Sequence, residues 1–199
     1  MLRLAEFVLD KDNSAVFDLL CYYFIGDENN FIINADKLGV KNPSLKKGIL
    51  MPGVYGCGKT MMMRLFNKNA RQCFIIRRAK DIAEEYSYSK EKKISDEYVY
   101  LFDNAAAGLS SNDVFNQKYS GLCIDEVGGE EVKNNYGNKA NVIGDLIEQR
   151  YSMGFTGVYL HGTTNLTAKQ LESHYGGRVA SRMREIFNFI QLPGGDRRK

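Results

Sequence analysis

Eight consecutive residues constrain this chain more than any others: Gly53-Val54-Tyr55-Gly56-Cys57-Gly58-Lys59-Thr60. They fit G-x-x-x-x-G-K-[ST], a loop whose backbone N–H groups cradle phosphates. The glycines let those N–H groups face an anion without Cβ clashes. An apolar run, Ile49-Leu50-Met51, precedes the loop, and helix-forming residues follow from Lys59 to about Asn69. The loop therefore joins a strand to a helix N-terminus, where partial positive charge favours phosphate. Lys59 is placed to reach the β- and γ-phosphates, and the Thr60 hydroxyl to ligate Mg²⁺.

The same alternation continues along the chain. Cys73–Ile76 reads as a second short strand, Leu122–Ile124 as a third, Val158–Leu160 as a fourth and Ile186–Leu192 as a fifth. Helical patterns fall between them at Ala79–Tyr88, Ser95–Asp103 and Asn138–Met153. Thr167 to Gln170 has the form of a capping box, with helix to about His174 and again from Arg178 to Glu185 after Gly176-Gly177. Ahead of the loop, Asn13–Phe24 carries Val16, Leu19, Leu20 and Tyr23 at helical spacing, with Asp12, Asn13 and Ser14 as caps. The segment from there to Ser44 shows no strong pattern. Short apolar strands alternating with helices argue for a mostly parallel sheet covered on both faces.

Length and composition agree with one such domain. The chain has 199 residues, 44% hydrophobic and 26% charged, which excludes disordered and low-complexity classes. No apolar run approaches the ~18 residues of a membrane span. Met1–Glu6 has an early acid and no apolar core, so no signal peptide is expected. Cys21, Cys57, Cys73 and Cys123 show no paired spacing, which suits a reducing, cytoplasmic compartment better than a disulfide framework. With only His161 and His174 beside them a zinc site is not expected, and both histidines read as structural or surface residues.

Three further groups carry chemistry. The strand Leu122-Cys123-Ile124 ends in Asp125-Glu126; Asp125 suits Mg²⁺ and Glu126 suits activation of an attacking water. Thr163-Thr164-Asn165 follows the fourth strand, at the strand end where open α/β sheets bind ligands, and an amide there can touch both a γ-phosphate and the water. Arg178 and Arg182 stand i,i+4 on one helix face, with guanidinium forks suited to phosphate; a solvated face or a pairing with Glu185 is the plainer alternative. Met61-Met62-Met63 reads as filling beneath the loop helix, and Cys57 as a small residue that fits. Arg77, Arg78, Lys80, Tyr86, Tyr88, Lys90, Lys92 and Lys93 mix bases with aromatics, as a single-strand platform does, although a solvated charged helix explains them slightly better.

In order, these motifs resemble a known family. Lys-Gly-Ile-Leu-Met before the loop, Cys-Ile-Asp-Glu-Val-Gly, Arg150-Tyr151, Thr-Thr-Asn-Leu, Gly-Arg-Val-Ala-Ser-Arg-Met and Leu-Pro-Gly-Gly-Asp-Arg-Arg together look like the ATPases of the DnaC-type helicase loader and IstB transposition-helper family, in the AAA+ class. The resemblance covers about residues 46–198. It implies a P-loop NTPase three-layer sandwich with a five-stranded parallel sheet in the order 5-1-4-3-2 and little or no C-terminal lid. Residues 1–45 would be a short helical appendage, and 46–199 the ATPase core. Gly53, Val54, Tyr55, Gly56, Cys57, Gly58, Lys59 and Thr60 would be Walker A, with Met61 beside them in the nucleotide site. Thr60 and Asp125 would hold Mg²⁺, Glu126 would be the Walker B base and Asn165 sensor 1. Arg178 would be an arginine finger, with Arg182 a second basic contact to nucleotide on the same helix.

The implied function is an Mg-ATP-dependent switch on single-stranded DNA and a replicative helicase. Because a finger on the helix before the fifth strand cannot easily reach its own γ-phosphate, a head-to-tail oligomer is expected. A transposition helper on duplex DNA is the alternative, ahead of a monomeric P-loop phosphotransferase or a non-hydrolysing nucleotide-binding module. No membrane partner is expected. Net charge is +3, but Arg178–Lys199 carries +4 of it and the first 177 residues carry −1. If Arg178 and Arg182 face ATP, then Arg184, Arg197, Arg198 and Lys199 remain for nucleic acid.

Overall fold

In a computed structural model, residues 7–88, 121–130, 133–135, 138–154 and 159–198 are described. The expected helix at Ser95–Asp103, together with Lys90, Lys92, Lys93 and Lys199, lies outside them. Five parallel strands form the main sheet: β1 (Gly48–Pro52), β2 (Phe74–Arg78), β3 (Gly121–Asp125), β6 (Tyr159–Thr164) and β7 (Phe187–Phe189). Their order is β2-β3-β6-β1-β7, the expected 5-1-4-3-2 read from the other edge. β6 therefore separates the strand that enters the phosphate loop from the strand that ends in Asp125. Beyond β7 the backbone stays beside β1, with Ile190 N–H donating to Leu50 O at 3.0 Å and Leu192 N–H to Pro52 O at 2.9 Å.

Alternation along the strands sorts the core into two layers. Leu50, Leu122 and Ile124 pack on one face with Ile82 of α4 (Ala79–Tyr88), with Ile143, Leu146 and Ile147 of α5 (Val142–Ser152), and with Leu171 and Met183 of α6 (Ala168–Ile186). Ile49, Met51 and Cys123 face the other way. They meet Leu19, Leu20 and Tyr23 of α1 (Ser14–Ile25), Phe31 and Ala35 of α2 (Glu28–Lys37), and Met62 and Met63 of α3 (Lys59–Phe66). Met62 and Met63 fill beneath the loop helix, while Met61 is half-buried. Among the described residues no helix is long and apolar enough to cross a membrane.

The fourth strand runs on to Thr164, taking in Thr163 and Thr164, and the fifth is shorter than Ile186–Leu192, with Ile186 ending the helix before it; three further departures have a clearer cause. α2 was not expected: only Phe31 and Ala35 of its ten residues are buried, so its apolar stripe is faint. Its start is nonetheless capped, by the Asp27 carboxylate accepting from Asn30 N–H at 3.1 Å. α5 begins at Val142, not Asn138, because Asn141 takes the N-cap and accepts from Gly144 N–H at 3.0 Å. The residues before it pair instead as an antiparallel hairpin, β4 (Lys133–Asn135) with β5 (Asn138–Ala140). The third departure is at the start of α1. Asn13 does not cap that helix through its side chain, which donates to Val8 O at 2.9 Å. The capping box of α6 is present, and Gly176, at φ 84° and ψ 159°, breaks that helix where two were expected.

His161 lies wholly within the aromatic layer, its ring 4.7 Å from Phe74 and stacked with Tyr159. Its Nδ1 accepts the Ile49 N–H at 3.0 Å, so the other nitrogen carries the proton and the ring is neutral. Burial, reinforced by Arg150, lowers its pKa to about 3. The unfolded chain therefore takes up a proton below about pH 6.5 that the folded chain refuses. Stability is full above that pH and is lost as pH falls towards 3. Between pH 6.5 and 5, the unfolding free energy from urea titrations should drop with a limiting slope of up to about 1.4 kcal/mol per pH unit. His161→Gln, which retains an acceptor, should be flatter over that window; an identical slope would show that another group is responsible.

Candidate nucleotide-binding site

The loop from Gly53 to Gly58 closes tightly. A Cβ on Gly53 would sit 2.8 Å from Cys57 Sγ and 2.9 Å from Leu192 O, and one on Gly56 would sit 1.8 Å from Asp196 Oδ1. Gly56 and Gly58 also have φ of +74° and +101°, a conformation costly for other residues. Cys57 is buried, whereas Val54 and Tyr55 are exposed at the outer turn.

Lys59 is nearly buried and its Nζ donates to Gly53 O at 2.8 Å, Val54 O at 2.8 Å and Asn165 Oδ1 at 2.6 Å. Three acceptors match the three protons of an ammonium. Burial lowers its pKa, while Cys57, Asp125 and Glu126 oppose the shift. Asn165, which follows β6, thus meets the lysine of β1's loop across neighbouring strands. The Thr60 hydroxyl donates to Asp125 Oδ1 at 2.8 Å, and the Thr163 hydroxyl donates to the same oxygen at 2.5 Å. A hydroxyl and a carboxylate converging beside a phosphate loop are the hard oxygen donors that Mg²⁺ takes, so these residues fit that ion.

Glu126 is exposed and its backbone is left-handed, at φ +61°. Thr163 helps to hold it there, because Thr163 Oγ1 accepts the Glu126 N–H at 3.0 Å. Val127 N–H donates to Thr163 O at 2.8 Å, so the turn is fastened to β6 by both backbone and side chain. Thr163 thus orients both acids. Sequence inspection noted it as part of a polar tripeptide, but its position one residue before a strand end did not reveal this bridging.

Arg178 and Arg182 are not among these contacts. Both meet Glu148 of α5, at 3.3 Å and 2.6 Å, and not Glu185. The Arg178 side chain is 75% exposed, whereas Arg182 is 17% exposed and lies over the Tyr151 ring. The basic C-terminus is also more engaged than its sequence suggested. Arg197 pairs with Asp10 and donates its backbone N–H to Gly56 O at 3.0 Å. That pairing lowers the Asp10 pKa to about 2. Arg198 pairs with Asp196 at 2.9 Å, and Arg184 stands 3.8 Å from Glu172. The segment after β7 therefore lies against the phosphate loop, which no local pattern announced. Arg77, Arg78 and Lys80 each meet a carboxylate of α4, namely Glu85, Asp81 and Glu84.

No protein-family model matches the chain, and no curated protein does. Solved structures do. The DnaC helicase loader superposes with a TM-score of 0.54 at 17% identity, covering 94% of each chain. DnaI gives a TM-score of 0.55 at 16% identity, covering 93% of this chain and 88% of that one. The replication initiator DnaA bound to AMPPCP and single-stranded DNA gives 0.51 at 15% identity, covering 95% of this chain and 49% of that one. Strand order, loop placement and these superpositions agree: this chain has the α/β P-loop NTPase fold seen in DnaC, DnaI and DnaA.

Proposed function

We propose that the chain is an AAA+ ATPase that binds Mg-ATP, hydrolyses it, and acts in the cytoplasm as a nucleotide-dependent switch on single-stranded DNA and a replicative helicase. The observation that carries the ATPase reading is the convergence of Lys59, Thr60, Asp125 and Asn165 around one loop, with Glu126 exposed beside it. Incoming phosphates replace the carbonyls as partners of Lys59 while the loop N–H groups turn to the phosphate oxygens. Thr60 and Asp125 would hold Mg²⁺, which when bound would neutralise phosphate charge. Glu126 accepts a proton from the attacking water, and Asn165, released from Lys59, orients that water. Arg178 of a neighbouring copy supplies positive charge to the γ-phosphate.

The DNA and helicase part of the proposal is supported by the similar structures, a helicase loader and an initiator bound to single-stranded DNA. Its test is light scattering with a non-hydrolysable ATP analogue and single-stranded DNA, added separately and together. Mass should rise when both are present. A monomer in every condition would overturn the head-to-tail assembly, and assembly on duplex but not single-stranded DNA would favour a transposition helper.

A further inference from the structure

We infer that Glu130 is a positioning residue that ties the turn carrying Glu126 to the helix carrying Arg178, so that one nucleotide site sets the arginine offered to the next. The inference rests on the ATPase reading above, in which both residues act on ATP. Glu130 is 6% exposed and lies four residues beyond Glu126. Its Oε2 accepts the Gly128 N–H at 2.9 Å, and its Oε1 accepts from the Tyr175 hydroxyl. His174 Nε2 stands 3.5 Å from that second oxygen. A carboxylate is costly at such a depth unless hydrogen-bonded. Burial and the charge of Glu130 together push the Tyr175 pKa up, so its hydroxyl remains the donor.

What Glu130 joins gives the contact its consequence. On one side, Gly128 and Glu126 belong to one turn, closed by Gly129 N–H donating to Glu126 O at 2.8 Å. That turn is closely packed: a Cβ on Gly128, whose φ is +84°, would come within 2.4 Å of Leu166 Cδ1. On the other side, Tyr175 is the residue before Gly176, the non-helical point that divides α6. Tyr175 before the break and Ala180 and Met183 after it are buried, while nothing among the described residues stands within 4 Å of where a Gly176 Cβ would be. Arg178 follows two residues later, held at an exposed edge by Glu148. A shift of the Glu126 turn is therefore carried by a buried carboxylate to the residue beside the break in α6, and through the half of the helix beyond it to the position of Arg178.

Tyr175→Phe removes the hydroxyl and keeps the packing. It should lower kcat about tenfold with KM changed less than about twofold, and the same change made in Arg178→Ala should cost less than about twofold in single-turnover rate. Glu130→Gln, which retains an acceptor oxygen, should be milder than Glu130→Ala, and it serves as the second probe if Tyr175→Phe does not fold. Equal losses in both backgrounds, or no loss of kcat in the parent chain, would overturn the inference and leave Glu130 a merely structural residue. Arg178→Ala with unchanged kcat would overturn it differently, by removing the reading on which it rests.

Discussion

Arg178→Ala is expected to lower ATP turnover by about 10³- to 10⁵-fold, the range over which arginine fingers act on phosphoryl transfer. ATP affinity should change far less, because Arg178 makes no contact with its own phosphate loop and pairs instead with Glu148. That ion pair is mostly exposed, a class typically worth about 0–1 kcal/mol, so a neighbour's γ-phosphate can replace it at little cost. Arg182 differs: it is half-buried against Tyr151 and closer to Glu148, and it is better placed to hold the helix face than to leave it. Mixing separates the two roles. Arg178→Ala keeps an intact loop, and Lys59→Ala keeps an intact arginine. Each alone should be inactive, while an equimolar mixture should recover part of the parent rate. A mixture no faster than its components would show that the arginine is not supplied between subunits.

Lys59→Ala should abolish turnover and weaken ATP binding by about 10²- to 10⁴-fold. That is the loss of two charge-assisted hydrogen bonds to phosphate at roughly 1.5–3 kcal/mol each. Binding of a fluorescent ATP analogue measures it. The three oxygens that now satisfy Lys59 would lose their partner, yet Val54 is exposed and Asn165 half-buried, so water can reach two of the three sites. A modest change in melting temperature should therefore accompany a large change in affinity. Near-parental affinity in a folded Lys59→Ala would mean that phosphates bind elsewhere.

Much of this was legible because it is written in contiguous residues. Strand, loop and helix from Ile49 to Met63 form one unbroken pattern, and Asp125 ends an apolar run. The sheet order followed from the resemblance of the ordered motifs. What escaped is of another kind. α2 buries two residues of ten, too few for a periodic signal. The hairpin before α5 interrupts a pattern that otherwise reads as helix. Asp10 with Arg197, and Glu130 with Tyr175, join residues 187 and 45 positions apart. Local periodicity has no access to such pairs. A net charge is similarly blind to pairing, so Arg184, Arg197 and Arg198 looked freer in the sequence than their carboxylate neighbours leave them.

The left-handed backbone at Glu126 has an evolutionary and practical corollary. Glycine, asparagine or aspartate would occupy that conformation more comfortably, by as much as about 1 kcal/mol for glycine. A search for hardier variants would therefore be drawn to position 126 and would reward changes that remove the reactive carboxylate. Thermal robustness and turnover pull in opposite directions at this one residue. A chain retaining glutamate there keeps a small, standing conformational handicap at the place where its chemistry is proposed to occur.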